Sequence, residues 1–180
     1  MFCIKGGEGF VEHPVLQLYD YHLWANQQIF TRLKELPEDV YRKEIQSVFP
    51  SIAGVLTHVY LSDKGWFDVF SGERLENTLK SADKQKEEIL SKEIEELEDM
   101  FLELSDQYQL FLQKEENISL PLEIEHPSGD IMKTTAADMV LHVVNHGTYH
   151  RGNITAMLRQ MGYASVPTDY GMYLYINNKK

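Results

Sequence analysis

The chain has a single cysteine, Cys3, in 180 residues. No disulfide can form within it, which excludes the disulfide-stapled secreted class and fits a reducing cytoplasm. No apolar run approaches the ~18 residues that span a bilayer, and the first residues lack the charged-then-apolar pattern of a signal peptide. Positive charge is also scarce. Lys and Arg number 17 against 28 Asp and Glu, a formal net charge of −11. Non-specific nucleic-acid binding needs a basic surface and is excluded. There is no serine nucleophile elbow, phosphate loop or dinucleotide glycine pattern. What is present is ordinary for a soluble globular protein, 43% hydrophobic and 25% charged. The length suits one domain with a sizeable core, and the charge suits a small-molecule ligand or a partner protein.

The opening stretch MFCIKGGEGF has three glycines and no periodicity. Read back to nucleotides, Lys5-Gly6-Gly7-Glu8 is what AAA-GGA-GGT-GAA encodes, a string like a strong bacterial ribosome-binding sequence. Val11 follows at a suitable distance for a GTG start. Residues 1–12 are therefore expected either to precede the natural protein or to form a short flexible tail, and residues 13–180 to form one domain. Cys3 sits in this stretch and is a poor candidate nucleophile.

His13-Pro14 opens a helix, since Pro is tolerated in the first turn. Leu16, Tyr19, Leu23, Phe30 and Leu33 keep its period to about Leu36, Asn26 shares their stripe, and Pro37 ends it. Pro37 to Pro50 is a connection with a helical turn around Asp39 to Lys43. Ser51 caps a second helix, Ile52 to about Phe70, stopped at Ser71-Gly72. Glu73 to Ala82 reads as polar loop. Asp83 to about Glu116 reads as one long helix, and its acidic cluster Glu93, Glu95, Glu96, Glu98 and Asp99 as a solvated face. Ile118 to Lys133 alternates, with turn chemistry at His126-Pro127-Ser128-Gly129-Asp130, and predicts a short β-hairpin or an extended crossover. Thr134 or Thr135 caps the last helix, with Asp138 placed for a capping box; the helix runs to about Met161 and stops at Gly162. The aromatic tail, Tyr163 to Lys180, is compatible with a short helix or a strap across the bundle. Four long amphipathic helices predict an all-α four-helix bundle.

Histidine spacing singles out the last helix. At about 100° per residue, Ala136, Met139, Val143, His146, His150, Ile154, Met157 and Met161 share one arc, with His142 at its edge. Imidazoles four apart on a helix can share one metal ion, and unpartnered imidazoles on a core stripe are costly, so His146 and His150 read either as a ligand pair or as two satisfied buried histidines. A third ligand must come from another helix, and His58 is the leading candidate, although it lies ~120° from the centre of its helix's apolar arc. Asp63 lies inside that arc. It reads as a fourth ligand, an acceptor for a ligand histidine, or an exposed or capping residue. His22 reads as a surface or edge histidine, and His13 and His126 as solvent-facing.

The run LHVVNHGTYHRGNI ending at LRQMG, together with YHLWAN and HVYLSDKGWF in the first two helices, resembles the DinB-like family of small bacterial metal-binding bundles. The likeness extends from about His13 to Gly162. It implies an up-down-down-up bundle, commonly a homodimer, with a zinc or nickel ion held by His58, His146 and His150. Arg151 and Gly152 match the family's Arg-Gly, and Asn153 stands where the family usually has Gln. Related proteins are thiol-dependent transferases, so the resemblance implies a metal-dependent S-transferase using a low-molecular-weight thiol, with Tyr149, Asp63 or Asn26 as candidate orienting groups. A metal-dependent hydrolase and a non-enzymatic metal-binding stress protein are the other readings.

Expressed from its native gene, the protein should have a mass corresponding to a start at Val11; a mass that includes Met1 would discard the ribosome-binding reading.

Overall fold

A computed structural model describes residues 13–177, so the reading of residues 1–12 lies outside the described residues. Helix α1 spans Pro14–Lys34, with Pro at its first position and the His13 ring accepting from the Val15 amide at 3.3 Å. After a short α2, Asp39–Arg42, Ser51 caps α3, Ile52–Phe70, its hydroxyl accepting from the Gly54 amide at 3.1 Å. Gly72 then turns the chain with φ 97°, a conformation costly for any residue with a Cβ.

The stretch expected to be loop followed by one long helix is instead two helices with a break between them. Helix α4 is Leu75–Leu90 and α5 is Ile94–Leu112. Its Glu/Lys-rich composition lets α4 form although it buries only Thr78 and Ile89. Two local interactions locate the break. Glu93 and Glu96 form a reciprocal capping box that starts α5. Arg42 donates to the carbonyls of Leu90 at 2.7 Å, Ser91 at 2.9 Å and Lys92 at 2.6 Å, satisfying groups that a continuous helix would have used itself. A single turn, α6 (Glu115–Ile118), follows.

Strands β1 (Pro121–Glu125) and β2 (Ile131–Thr135) form an antiparallel hairpin, Leu122 opposite Thr134 and Ile124 opposite Met132. This resolves the choice left open by the sequence. Thr135 and Asp138 make the capping box of α7, Ala136–Gln160, and Gly162 (φ 88°) follows its end. The tail carries α8, Tyr170–Asn177.

The long helices α1, α3, α5 and α7 form the bundle. Helix α7 packs against α1 and α3, and so does α5, which puts α1 and α3 on opposite corners of the core. Helix α4 lies outside, against α3. No helix among the described residues is long and apolar enough to cross a membrane.

If Arg42 holds the break, Arg42→Ala should lower unfolding free energy by about 1–3 kcal/mol, the scale of hydrogen bonds from a charged donor. Urea denaturation followed by tryptophan fluorescence measures this; an unchanged midpoint would assign the break to the Glu93 capping box alone.

Candidate metal centre

Helix α7 carries His146 and His150 one turn apart, and α3 brings His58 against them. His58 Nε2 lies 3.1 Å from His146 Nε2, which is 3.0 Å from His150 Nε2. One donor nitrogen from each histidine lies within 4.8 Å of the other two, so the three side chains can hold a metal ion. Nitrogens about 2.0–2.1 Å from one ion, at angles of about 90–110°, stand about 2.8–3.4 Å apart, which matches these two separations. The doubt raised by the position of His58 on its helix has a geometric answer: the α3–α7 seam lies to one side of α3's apolar arc.

The histidines grade from core to solvent. His150 is buried, His146 half-buried and His58 exposed. Burial, then the charge of His150, pushes His146 down to about 3. Burial, then His58, pushes His150 down to about 4. His58 is also lowered, chiefly by burial of its ring. All three are therefore neutral near pH 7, so each ring has one nitrogen with a free lone pair that can turn to a metal. With the ring protons on Nδ1, the three Nε2 lone pairs oppose one another, and a cation between them removes that conflict. Asn153 is 3.3 Å from His150 Nδ1. The atom that faces the ring is Asn153 Nδ2; with Nε2 committed to an ion and the proton on Nδ1, the amide would turn over to present its oxygen.

Aromatic groups pack around the imidazoles. Phe49 sits 5.2 Å from the His58 ring and 5.4 Å from that of His150. Tyr149 is exposed, its ring 5.0 Å from His150. His142, also exposed, stacks against His146 at 6.0 Å and does not join the converging group.

The other candidate residues occupy a separate place. Asp63 is buried and takes no position among the three ligands; its Oδ2 lies 3.1 Å from His22 Nε2. His22, expected at the surface or an edge, is 1% exposed. Its burial follows from partners on two other helices. Arg151 Nη1 approaches His22 Nδ1 at 3.4 Å and donates to Asn26 Oδ1 at 2.8 Å, while Nη2 donates to Thr148 at 2.8 Å and reaches the Tyr21 hydroxyl at 3.4 Å. Asn26 therefore lies with Asp63 in a buried network of α1, α3 and α7, and of the candidate orienting groups only Tyr149 is exposed beside the ligands. The sequence held one signal for His22: it is four residues before Asn26, itself on the core stripe, and Asp63 needed a donor inside the core.

The DinB family profile matches residues 11–180. The chain belongs to the DinB family. It is 64% identical over 160 residues to "Protein DinB" of Bacillus subtilis (strain 168), covering 89% of this chain and 93% of that protein. In this DinB-family chain the helix pair and spacing on which the resemblance rests are the elements that bring the three imidazoles together.

Replacing either His146 or His150 with Ala should abolish stoichiometric zinc or nickel in elemental analysis of the folded protein; full metal content in either variant would refute the site.

Proposed function

We propose that this centre binds a divalent ion, zinc or nickel, through His58, His146 and His150, and serves a thiol S-transferase reaction. The observation that carries the reading is an incomplete ligand set facing solvent: three imidazoles converge, His58 is exposed, and no fourth histidine, cysteine or carboxylate joins them among the described residues. Structural zinc sites are usually closed by four protein ligands, whereas catalytic ones keep a position for water or substrate. Three imidazoles suit zinc or nickel by ligand type.

A bound divalent ion supplies Lewis acidity that lowers the pKa of a thiol ligand and holds it as thiolate at neutral pH. The chain's contribution is placement. His150 is fixed by burial and by Asn153, and His146 by its position between the other two rings. Phe49 shields one side of the His58–His150 pair from water. The Tyr149 phenol, exposed next to His150, is the group placed to touch a substrate. In the transfer, the thiol proton leaves to solvent, sulfur bonds to an electrophilic carbon, and the leaving group departs with its electron pair. Asp63 and Asn26, buried and engaged with His22 and Arg151, support the helices and do not contact substrate. Asp63 is turned to His22 and is not among the converging ligand atoms, which weighs against a purely structural metal.

Thiol-dependent consumption of a model electrophile should require metal. With several low-molecular-weight thiols as donors, metal-stripped protein and His150→Ala should fall to the uncatalysed rate. A stripped protein that retains full rate would exclude this chemistry, and turnover of ester or amide substrates without thiol would favour a hydrolase.

A further inference from the structure

Beside the ligands, little more than a quarter turn around α7, lies a buried unit that the proposed reaction does not use. Arg151 is 2% exposed, Asp63 3% and His22 1%. A guanidinium only donates, so the His22 Nδ1 facing it must be the bare nitrogen, which places the ring proton on Nε2, toward Asp63. Asn26 Nδ2 is also near that Nε2, at 3.0 Å, but the two ionised partners decide the tautomer because charge-assisted bonds are the stronger. His22 thus joins a buried cation on α7 to a buried anion on α3, reaching both from α1.

Each member is tied to a metal-ligand position. Arg151 directly follows His150. Asp63 lies on α3 little more than one turn after His58. The His22 ring rests on the α7 backbone at Gly147, which directly follows His146. A Cβ at Gly147 would overlap His22 Cε1 and stand 2.7 Å from Nδ1 and 2.9 Å from Arg151 Nη1. Only glycine leaves room for the ring there. This contact limits how closely α1 and α7 approach, and the His22–Asp63 bond carries the restraint on to α3.

We infer that His22, Asp63, Arg151 and Gly147 are positioning residues that set the metal affinity of the three-histidine centre by locking α7 to α3 through α1. The inference rests on the reading that the centre holds a metal. Neither His22 nor Gly147 supplies a ligand, yet each governs where the ligands stand.

The test measures zinc affinity by competition with a chelating dye, the ligand-field spectrum of cobalt-loaded protein, and the melting temperature of the metal-free form. His22→Ala and Asp63→Asn should each weaken zinc binding about tenfold or more, the usual scale for partners of ligand positions, and change the cobalt spectrum. Asp63→Asn keeps the side-chain volume and provides a folded variant should His22→Ala fail to fold. Gly147→Ala should weaken zinc binding in the native background. In a His22→Ala background it should cost far less affinity, because the clashing ring is gone and only the movable tip of Arg151 remains close. Leu97→Val, a core truncation on α5, which carries no ligand, should lower the melting temperature without changing zinc affinity or spectrum. Zinc affinity within twofold of wild type in His22→Ala and Asp63→Asn would overturn the inference and leave the metal reading standing, as would equal losses from Gly147→Ala in both backgrounds. A wild-type protein that binds no zinc, nickel or cobalt would overturn both.

Discussion

A guanidinium buried in the centre of a helical bundle is the constraint on which the rest of the fold turns. An unpaired charge there would cost several kcal/mol, and burial already pulls the Arg151 pKa below its ordinary value. The chain answers with oxygen atoms from two helices, Tyr21 and Asn26 on α1 and Thr148 on α7, and with the Asp63 carboxylate on α3, reached through His22. Three of the four bundle helices are thereby committed to one arrangement. Apolar packing alone tolerates sliding of one helix along another, whereas a set of directional bonds between buried ions does not. The diagonal relation of α1 and α3 belongs to the same logic, since His22 and Asp63 meet across the core.

Electrostatics divides α7 into two sides. One side holds the Arg151–His22–Asp63 unit, in which a positive and a negative charge are balanced. The other holds imidazoles driven to neutrality by burial and by one another. This separation leaves the ligand side able to accept a cation: the protein's own buried cation is turned to His22, Asn26 and Thr148 and not to His58, His146 or His150. Had Asp63 faced the ligands, it would have closed the centre; turned to His22, it leaves the centre open.

Which parts of this could be read from the sequence depends on whether the determining interaction is local. The boundaries of α1, α3 and α7 follow from Pro14, Ser51 and the Thr135–Asp138 box, all within a turn of the helix they start, and the wheel of α7 placed His146 and His150 on one stripe. The hairpin could be anticipated from alternation around the His126–Asp130 turn. The α4–α5 break could not, because Arg42 acts there from about fifty residues away and the Glu/Lys/Leu composition runs on through the gap. His22 was misjudged for the same reason: a lone histidine near the edge of an amphipathic stripe is ordinarily solvated, and its partners lie on α3 and α7. Asp63 gave the better clue, since a carboxylate within an apolar arc demands a donor, but one helix alone does not say which. His58 needed the family resemblance, because its helix arc pointed elsewhere until the α3–α7 seam was known.

The depth of the centre explains why it opens on water. Along one face of α7, His142 is exposed, His146 half-buried, His150 buried and Ile154 fully buried, so in three turns the helix passes from solvent into the core. A pair of ligands four residues apart must straddle that gradient. Placed one turn deeper, at the level of Ile154, the imidazoles would stand among apolar side chains, and any ion would be sealed from solvent. Placed one turn shallower, at His142, the rings would lose the burial that keeps their nitrogens unprotonated. His146 and His150 occupy the level between, with Asn153 and Phe49 holding the deeper ring and His58 meeting them from the solvent side. The same level places Gly147 and Arg151 opposite His22, so one turn of α7 both presents the ligands and engages the bond network that fixes them.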